Sequence, residues 1–267
     1  MTTSFENKTA IVTGGASGIG RAIATELQRL GADVLIADIV GATEVAKEIG
    51  CRGVKLDVTD ADAVNRVVRE FSDDRGRLDY IFNNAGIVVV GEAKALEYVD
   101  WKRTIDVNVY GVINGVHAAY PLMVRQGFGH IVNTASAAGL VPTPESVPYG
   151  ASKHAVVGLS RSLRAEGKAH GVKVLAICPG FVRTPIIDTA KLIGVSKEKS
   201  IAMIDKLGWM EPDDLAREVI KGVRKNRALI IAPRSAQVIV WAARMFPGLA
   251  DWVTALLVER LRVQLKE

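Results

Sequence analysis

Short apolar runs alternate along this chain with longer segments whose apolar residues recur at helical spacing. The runs predict strands at 8–13, 33–38, 53–57, 78–83, 129–135, 172–178 and 228–232. Helical spacing fills 18–31, 60–76, 102–126 and 149–168 between pairs of them. The first run, Thr9-Ala10-Ile11-Val12-Thr13, is rich in β-branched residues, as a strand should be. Strand and helix in alternation predict an α/β fold: a doubly wound parallel sheet of about seven strands with helices on both faces. No internal repeat, low-complexity tract or linker divides the chain, so one domain over residues 1–267 is expected.

Composition permits that fold and narrows the chemistry. A chain of 267 residues with 49% hydrophobic content can build one large core. The formal charge of +5 is spread out and interleaved with acids, as along Glu211-Pro212-Asp213-Asp214. No basic run with interleaved aromatics stands out, which argues against nucleic acid as a partner. Cys51 and Cys178 form no disulfide framework and read as small core residues. His117, His130, His154 and His170 do not cluster with cysteines or carboxylates at metal spacing, so no metal is expected. The start, Met1 to Glu6, lacks the charged and apolar parts of a signal peptide, and a cytoplasmic protein is expected.

Candidate chemistry begins at the first strand. The run Gly14-Gly15-Ala16-Ser17-Gly18-Ile19-Gly20 joins it to a segment with helical spacing. A strand, a glycine-rich turn and a helix start make a phosphate cradle, because the backbone can approach closely and the helix offers free N–H groups. Asp38 ends the second strand, about 20 positions on, where a carboxylate can take the hydroxyls of an adenosine ribose. Its charge opposes a 2′-phosphate and favours NAD over NADP; the basic excess suits such an anionic ligand. Further along, Tyr149 and Lys153 stand four residues apart, on one face of a helix. A free phenol has a pKa of about 10, and a fixed positive charge beside it lowers that value toward use as a base. Ser136 lies at the end of an apolar stretch, placed to hydrogen-bond a developing oxyanion.

Together these residues resemble the short-chain dehydrogenase/reductase family, of the single-domain type with a Rossmann-like sheet. The resemblance covers residues from about 5 to 232. Thr13-Gly14-x-x-x-Gly18-x-Gly20 is similar to the family's cofactor turn, and Asp57-Val58 to its adenine contact. Asn83-Asn84-Ala85-Gly86 resembles its Asn-Asn-Ala-Gly, and Pro179-Gly180 a further motif. The resemblance implies that Ser17, Ile19, Val182 and Thr184 also contact NAD, Thr184 at the nicotinamide carboxamide. It implies catalysis by Asn108, Ser136, Tyr149 and Lys153. Tyr149 would move the hydroxyl proton, Ser136 hold the oxygen, Lys153 hold the ribose, and Asn108 position a relay water. The function implied is interconversion of a secondary alcohol and a ketone. The alternatives are an NADPH-dependent ketoacyl-type or polyol reductase, or a non-catalytic NAD-binding protein.

Two segments fall outside the shared motifs. Between Pro185 and Met210, apolar residues including Ile186, Leu192, Ile193, Met203, Ile204 and Leu207 alternate with charges. They read either as one or two amphipathic helices forming a lid over an apolar substrate, or as residues that simply pack on the domain. Residues 234–267 continue past the last strand, with Trp241 and Phe246 before a break at Pro247-Gly248. A second amphipathic helix then carries Leu249, Trp252, Val253, Leu256, Leu257 and Leu261. Three readings stay open for this tail: packing on its own domain or a partner subunit, a cover over the substrate mouth, or peripheral contact with a membrane through Trp241, Trp252, Arg260, Arg262 and Lys266. A homodimer is as well supported as a homotetramer.

Overall fold

The computed structural model describes residues 4–265, with Met203, Leu207 and residues 260–265 described by backbone alone. Met1 to Thr3, Lys266 and Glu267 lie outside the described residues.

The chain runs β1 (Thr9–Thr13), α1 (Gly18–Arg29), β2 (Asp33–Asp38), α2 (Ala42–Ile49), β3 (Arg52–Lys55), α3 (Ala61–Arg75), β4 (Tyr80–Asn83) and β5 (Val89–Val90). It continues through α4 (Tyr98–Ile105), α5 (Gly111–Gln126), β6 (Gly129–Thr134), α6 (Val147–Gly167), β7 (Val172–Pro179), β8 (Lys191–Leu192) and α7 (Lys197–Leu207). It closes with α8 (Pro212–Arg224), β9 (Leu229–Ala232), α9 (Arg234–Met245) and α10 (Pro247–Leu265).

Seven strands form one parallel sheet in the order β3-β2-β1-β4-β6-β7-β9. All seven expected strands are present, and the sheet is Rossmann-like and wound on both faces. Alternation along each strand divides its side chains between two cores. Ala10, Val12, Val34, Ile36 and Phe82 pack with α1 and α8 on one face. Ile11, Leu35, Ala37 and Ile81 pack with α3 and α5 on the other.

The helices show why some elements are hard to read from sequence. α2 has eight residues between the left-handed glycines Gly41 and Gly50, and it buries only Ala42 and Ala46. Val45 and Ile49 pack half-buried on the same core, but the helical spacing runs for only about two turns. α8 starts at Pro212, with Asp213 and Asp214 in its first turn, where acids suit the helix dipole. Its buried face is Leu215, Ala216, Val219, Ile220 and Val223. The single helix expected over 102–126 is two helices, α4 and α5, joined by a π-helical turn at Asp106–Tyr110.

The segment 185–210 holds one helix, α7, and a strand that the apolar pattern does not signal. β8 pairs in parallel with β5, and the Ile193 N–H donates to the Val90 carbonyl at 2.9 Å. The Lys191 ammonium donates to Asp100 at 2.7 Å, where the carboxylate is nearly buried. Val195 and Ile204 of this segment are buried.

The tail forms two helices broken at Pro247, as expected, but its apolar face is not packed on its own domain. α9 buries Ala236 and Val240. Trp241, Met245, Phe246, Leu249, Trp252, Leu256 and Leu257 stay exposed, so packing within the chain is ruled out for that face. The expected contributions of Arg260, Leu261 and Arg262 fall among the side chains outside the description, and that of Lys266 outside the described residues. Among the described residues, no helix is long and apolar enough to cross a membrane.

Candidate active site

The candidate residues gather at the carboxyl ends of β1, β4, β6 and β7. In a parallel sheet this edge carries the loops, and the crevice lies where strand order reverses, here between β1 and β4.

The glycine turn has the shape of a phosphate cradle. Gly14 and Gly18 have φ of +63° and +50°, which side-chain-bearing residues rarely adopt. A Cβ on Gly20 would lie 2.1 Å from the Gly14 carbonyl oxygen, so no larger residue fits there. Ser17 caps α1 without a side-chain bond to the helix, and Ile19 packs on the core beneath. The first N–H groups of α1 thus face an open turn, the arrangement that accepts a pyrophosphate. The Asp38 carboxylate accepts the Ala16 N–H at 3.0 Å, which sets it beside that turn. These observations fit a dinucleotide.

Asn84 works within the scaffold. Its amide donates to the carbonyls of Thr13 and Gly14 at 3.2 and 3.3 Å and accepts from Thr134 Oγ1 at 3.1 Å. Thr13 Oγ1 accepts the N–H groups of Asn84 and Ala85. Asp57 holds the Thr59 N–H and hydroxyl at 2.9 and 2.8 Å, while the Val58 carbonyl accepts from Asn114 at 2.8 Å. Thr184 packs against Gly18, where an added Cβ would meet its Cγ2 at 3.0 Å. Val182 bridges to Met210, and the Gly180 N–H donates to the Ala232 carbonyl at 2.7 Å.

Ser136, Tyr149 and Lys153 come together as the spacing implies. Lys153 is 3% exposed, donates to the Thr134 carbonyl at 2.9 Å, and stands 5.5 Å from the centre of the Tyr149 ring. Ser136 Oγ accepts the Ala138 N–H at 3.2 Å and donates to the Pro179 carbonyl at 3.4 Å. Asn108 clamps Ile87, accepting its N–H at 2.8 Å and donating to its carbonyl at 2.9 Å, and reaches Ser152 at 3.1 Å. A Cβ on Gly86 would lie 3.1 Å from Asn108 Oδ1 and 3.4 Å from Lys153 Nζ.

The electrostatics differ from the expectation of a lowered phenol. Burial raises the Tyr149 pKa, against a smaller lowering by the Ser136 hydrogen bond. Burial also brings the Lys153 ammonium down to about 8. Lys153 commits one of its three N–H donors to a neutral carbonyl, which offsets little of the hydration it has lost. The hydrogen-bonding roles of Ser152 and the Thr134 carbonyl have no signature in the sequence, since no spacing along the chain signals contacts between distant segments. Among the described residues, no group of three His, Cys, Asp or Glu side chains is placed to hold a metal.

Comparison with known proteins agrees with this geometry. The short chain dehydrogenase family model matches residues 8–191. The putative oxidoreductase SadH of Mycobacterium tuberculosis is 33% identical over 91% of this chain and 92% of its own. The 3-oxoacyl-[acyl-carrier-protein] reductase FabG of Thermotoga maritima is 32% identical over 81% of this chain and 90% of its own. A short chain dehydrogenase/reductase from Burkholderia phymatum, solved in complex with NAD, superposes with a TM-score of 0.84 at 29% identity, over 92% of this chain and 96% of that one. The chain belongs to the short-chain dehydrogenase family of oxidoreductases.

Proposed function

We propose that the protein interconverts a secondary alcohol and a ketone on an apolar substrate, with NAD as the redox partner. The observation that carries this reading is the convergence of Ser136, Tyr149 and Lys153 beside the glycine turn. When bound, the nicotinamide supplies the hydride acceptor or donor. The chain's own residues do the rest. Tyr149 takes the hydroxyl proton in oxidation and returns it in reduction, and Ser136 holds the substrate oxygen. Lys153 orients the ribose and offers positive charge to the phenol. Asn108 acts as a positioning residue that fixes Ile87 and the floor beside Lys153.

Asp38 supports NAD, because its carboxylate beside the turn repels a 2′-phosphate. The apolar residues that follow Thr184 along the 185–210 segment, among them Ile186, Leu192 and Ile193, favour an apolar substrate. A ketoacyl-type reductase using NADPH is the second reading, favoured by the resemblance to the Thermotoga reductase and opposed by Asp38.

Absorbance of reduced cofactor, followed with NAD⁺ and NADP⁺ against steroids, medium-chain and aromatic secondary alcohols and sugar polyols, tests the proposal. Turnover of the apolar alcohols with NAD⁺, narrowed toward NADP⁺ by Asp38→Ala, is the expected result. A preference for NADP⁺ in the unaltered protein overturns the cofactor reading, and turnover confined to polyols overturns the substrate reading.

A further inference from the structure

We propose that the exposed apolar face of α9 and α10 docks this protein on an anionic lipid surface. On α10, Leu249, Trp252, Val253, Leu256 and Leu257 follow the spacing i, i+3, i+4, i+7, i+8, so they form one stripe. Every one of them is exposed, Trp252 at 61%. On α9, Val238, Trp241 and Met245 lie opposite the buried Ala236 and Val240, and they too are exposed. Such a face in water marks an interaction surface.

Charge selects the occupant. Residues 234–267 carry five basic side chains and three acidic ones. A two-fold contact between copies sets a patch against itself, so a net-positive tail repels its own likeness. Anionic headgroups attract it, and tryptophans favour the depth of those headgroups. α10 carries Asp251 and Glu259 and is not apolar enough to cross a bilayer, which leaves it lying in the interface.

The tail also leaves the sheet at the edge that carries the site. α9 begins just after β9, where a Cβ on Gly180 would lie 3.3 Å from Ala236. α10 packs against α9 and α7. The docking helices therefore start at the edge that carries the site. Uptake of an apolar alcohol from the bilayer rests on the oxidoreductase reading above, whereas docking does not.

Co-sedimentation of the full chain with vesicles tests the docking without any turnover. Vesicles of phosphatidylcholine with phosphatidylglycerol should carry the protein down, and phosphatidylcholine alone should carry much less. The double variant Trp252→Ser, Leu256→Ser changes only exposed side chains, and it should bind at least about tenfold more weakly. Light scattering should give the same mass for both proteins. Protein that stays in the supernatant with both vesicle types overturns the proposal, as does undiminished binding by the double variant. A larger assembly that the double variant splits, without vesicle binding, overturns it too and assigns the face to a second copy.

Discussion

Two buried charges stand at opposite ends of the same parallel sheet, and they are treated differently. Asp79 sits at the amino end, just before β4. Burial pushes its carboxyl up, but Arg77, the Thr9 N–H and Lys8 overcome that and hold it below the usual carboxylate range. Arg77 donates to both carboxylate oxygens at 2.7 and 2.5 Å, and Thr9 donates to it through N–H and hydroxyl. Lys153, at the carboxyl end, has one neutral carbonyl for a hydrogen-bond partner and falls to about 8. The amino end satisfies its charge and gains stability. The carboxyl end leaves its charge under-satisfied, ready for a ligand, and that readiness costs stability.

The comparison breaks if the two ends respond alike to substitution. Tyr149→Phe should lower kcat by about 10²–10⁴-fold while NAD binding and the melting temperature stay close to those of the parent. Steady-state kinetics with a cofactor-binding titration check this, and near-full turnover would remove Tyr149 from the proton transfer. Asp79→Asn should do the reverse, costing about 2–3 kcal/mol in a urea titration with little change in kcat.

Lys153→Met sharpens the contrast. Whatever turnover it loses, it should raise stability at pH 7 by on the order of 1 kcal/mol, since a desolvated ammonium disappears. Lysine here has a folded pKa below its unfolded value, so the penalty is fully present below about pH 8 and fades as pH rises toward 10.5. The variant's advantage in melting temperature should fade over the same window. The effect that is slightest at neutral pH belongs to His130, whose ring stacks on Tyr80 at 4.8 Å. Burial, then the charge of Lys173, brings its pKa down to about 3. Its neutral form therefore favours the fold above about pH 6.5, and that contribution is lost as pH falls toward 3. His130→Phe should flatten the melting temperature between about pH 6.5 and 4.5; an unchanged slope there would assign the acid limb to other groups.

Much of this was legible in the sequence, for identifiable reasons. The central strands of the sheet carry apolar cores such as Ala10-Ile11-Val12, Val34-Leu35-Ile36-Ala37 and Val174-Leu175-Ala176-Ile177, so composition marks them. Tyr149 and Lys153 share a helix, and the glycine turn is contiguous, so local spacing places both. What the sequence hides is non-local or short. α2 is only about two turns long, and β5 and β8 are two residues each, paired from far apart along the chain. The direction of the Tyr149 shift is hidden as well, because it depends on burial by the whole fold rather than on the neighbour four residues away.

The pairing of β8 with β5 fastens two segments that lie about a hundred residues apart in the chain. Lys191 holds Asp100, which lies in the first turn of α4, and α4 runs directly into the π-helical turn that carries Asn108. The strand pairing and this ion pair hold the 185–210 segment at two neighbouring points. The 185–210 segment is thereby tied through one ion pair to the helix that leads into Asn108.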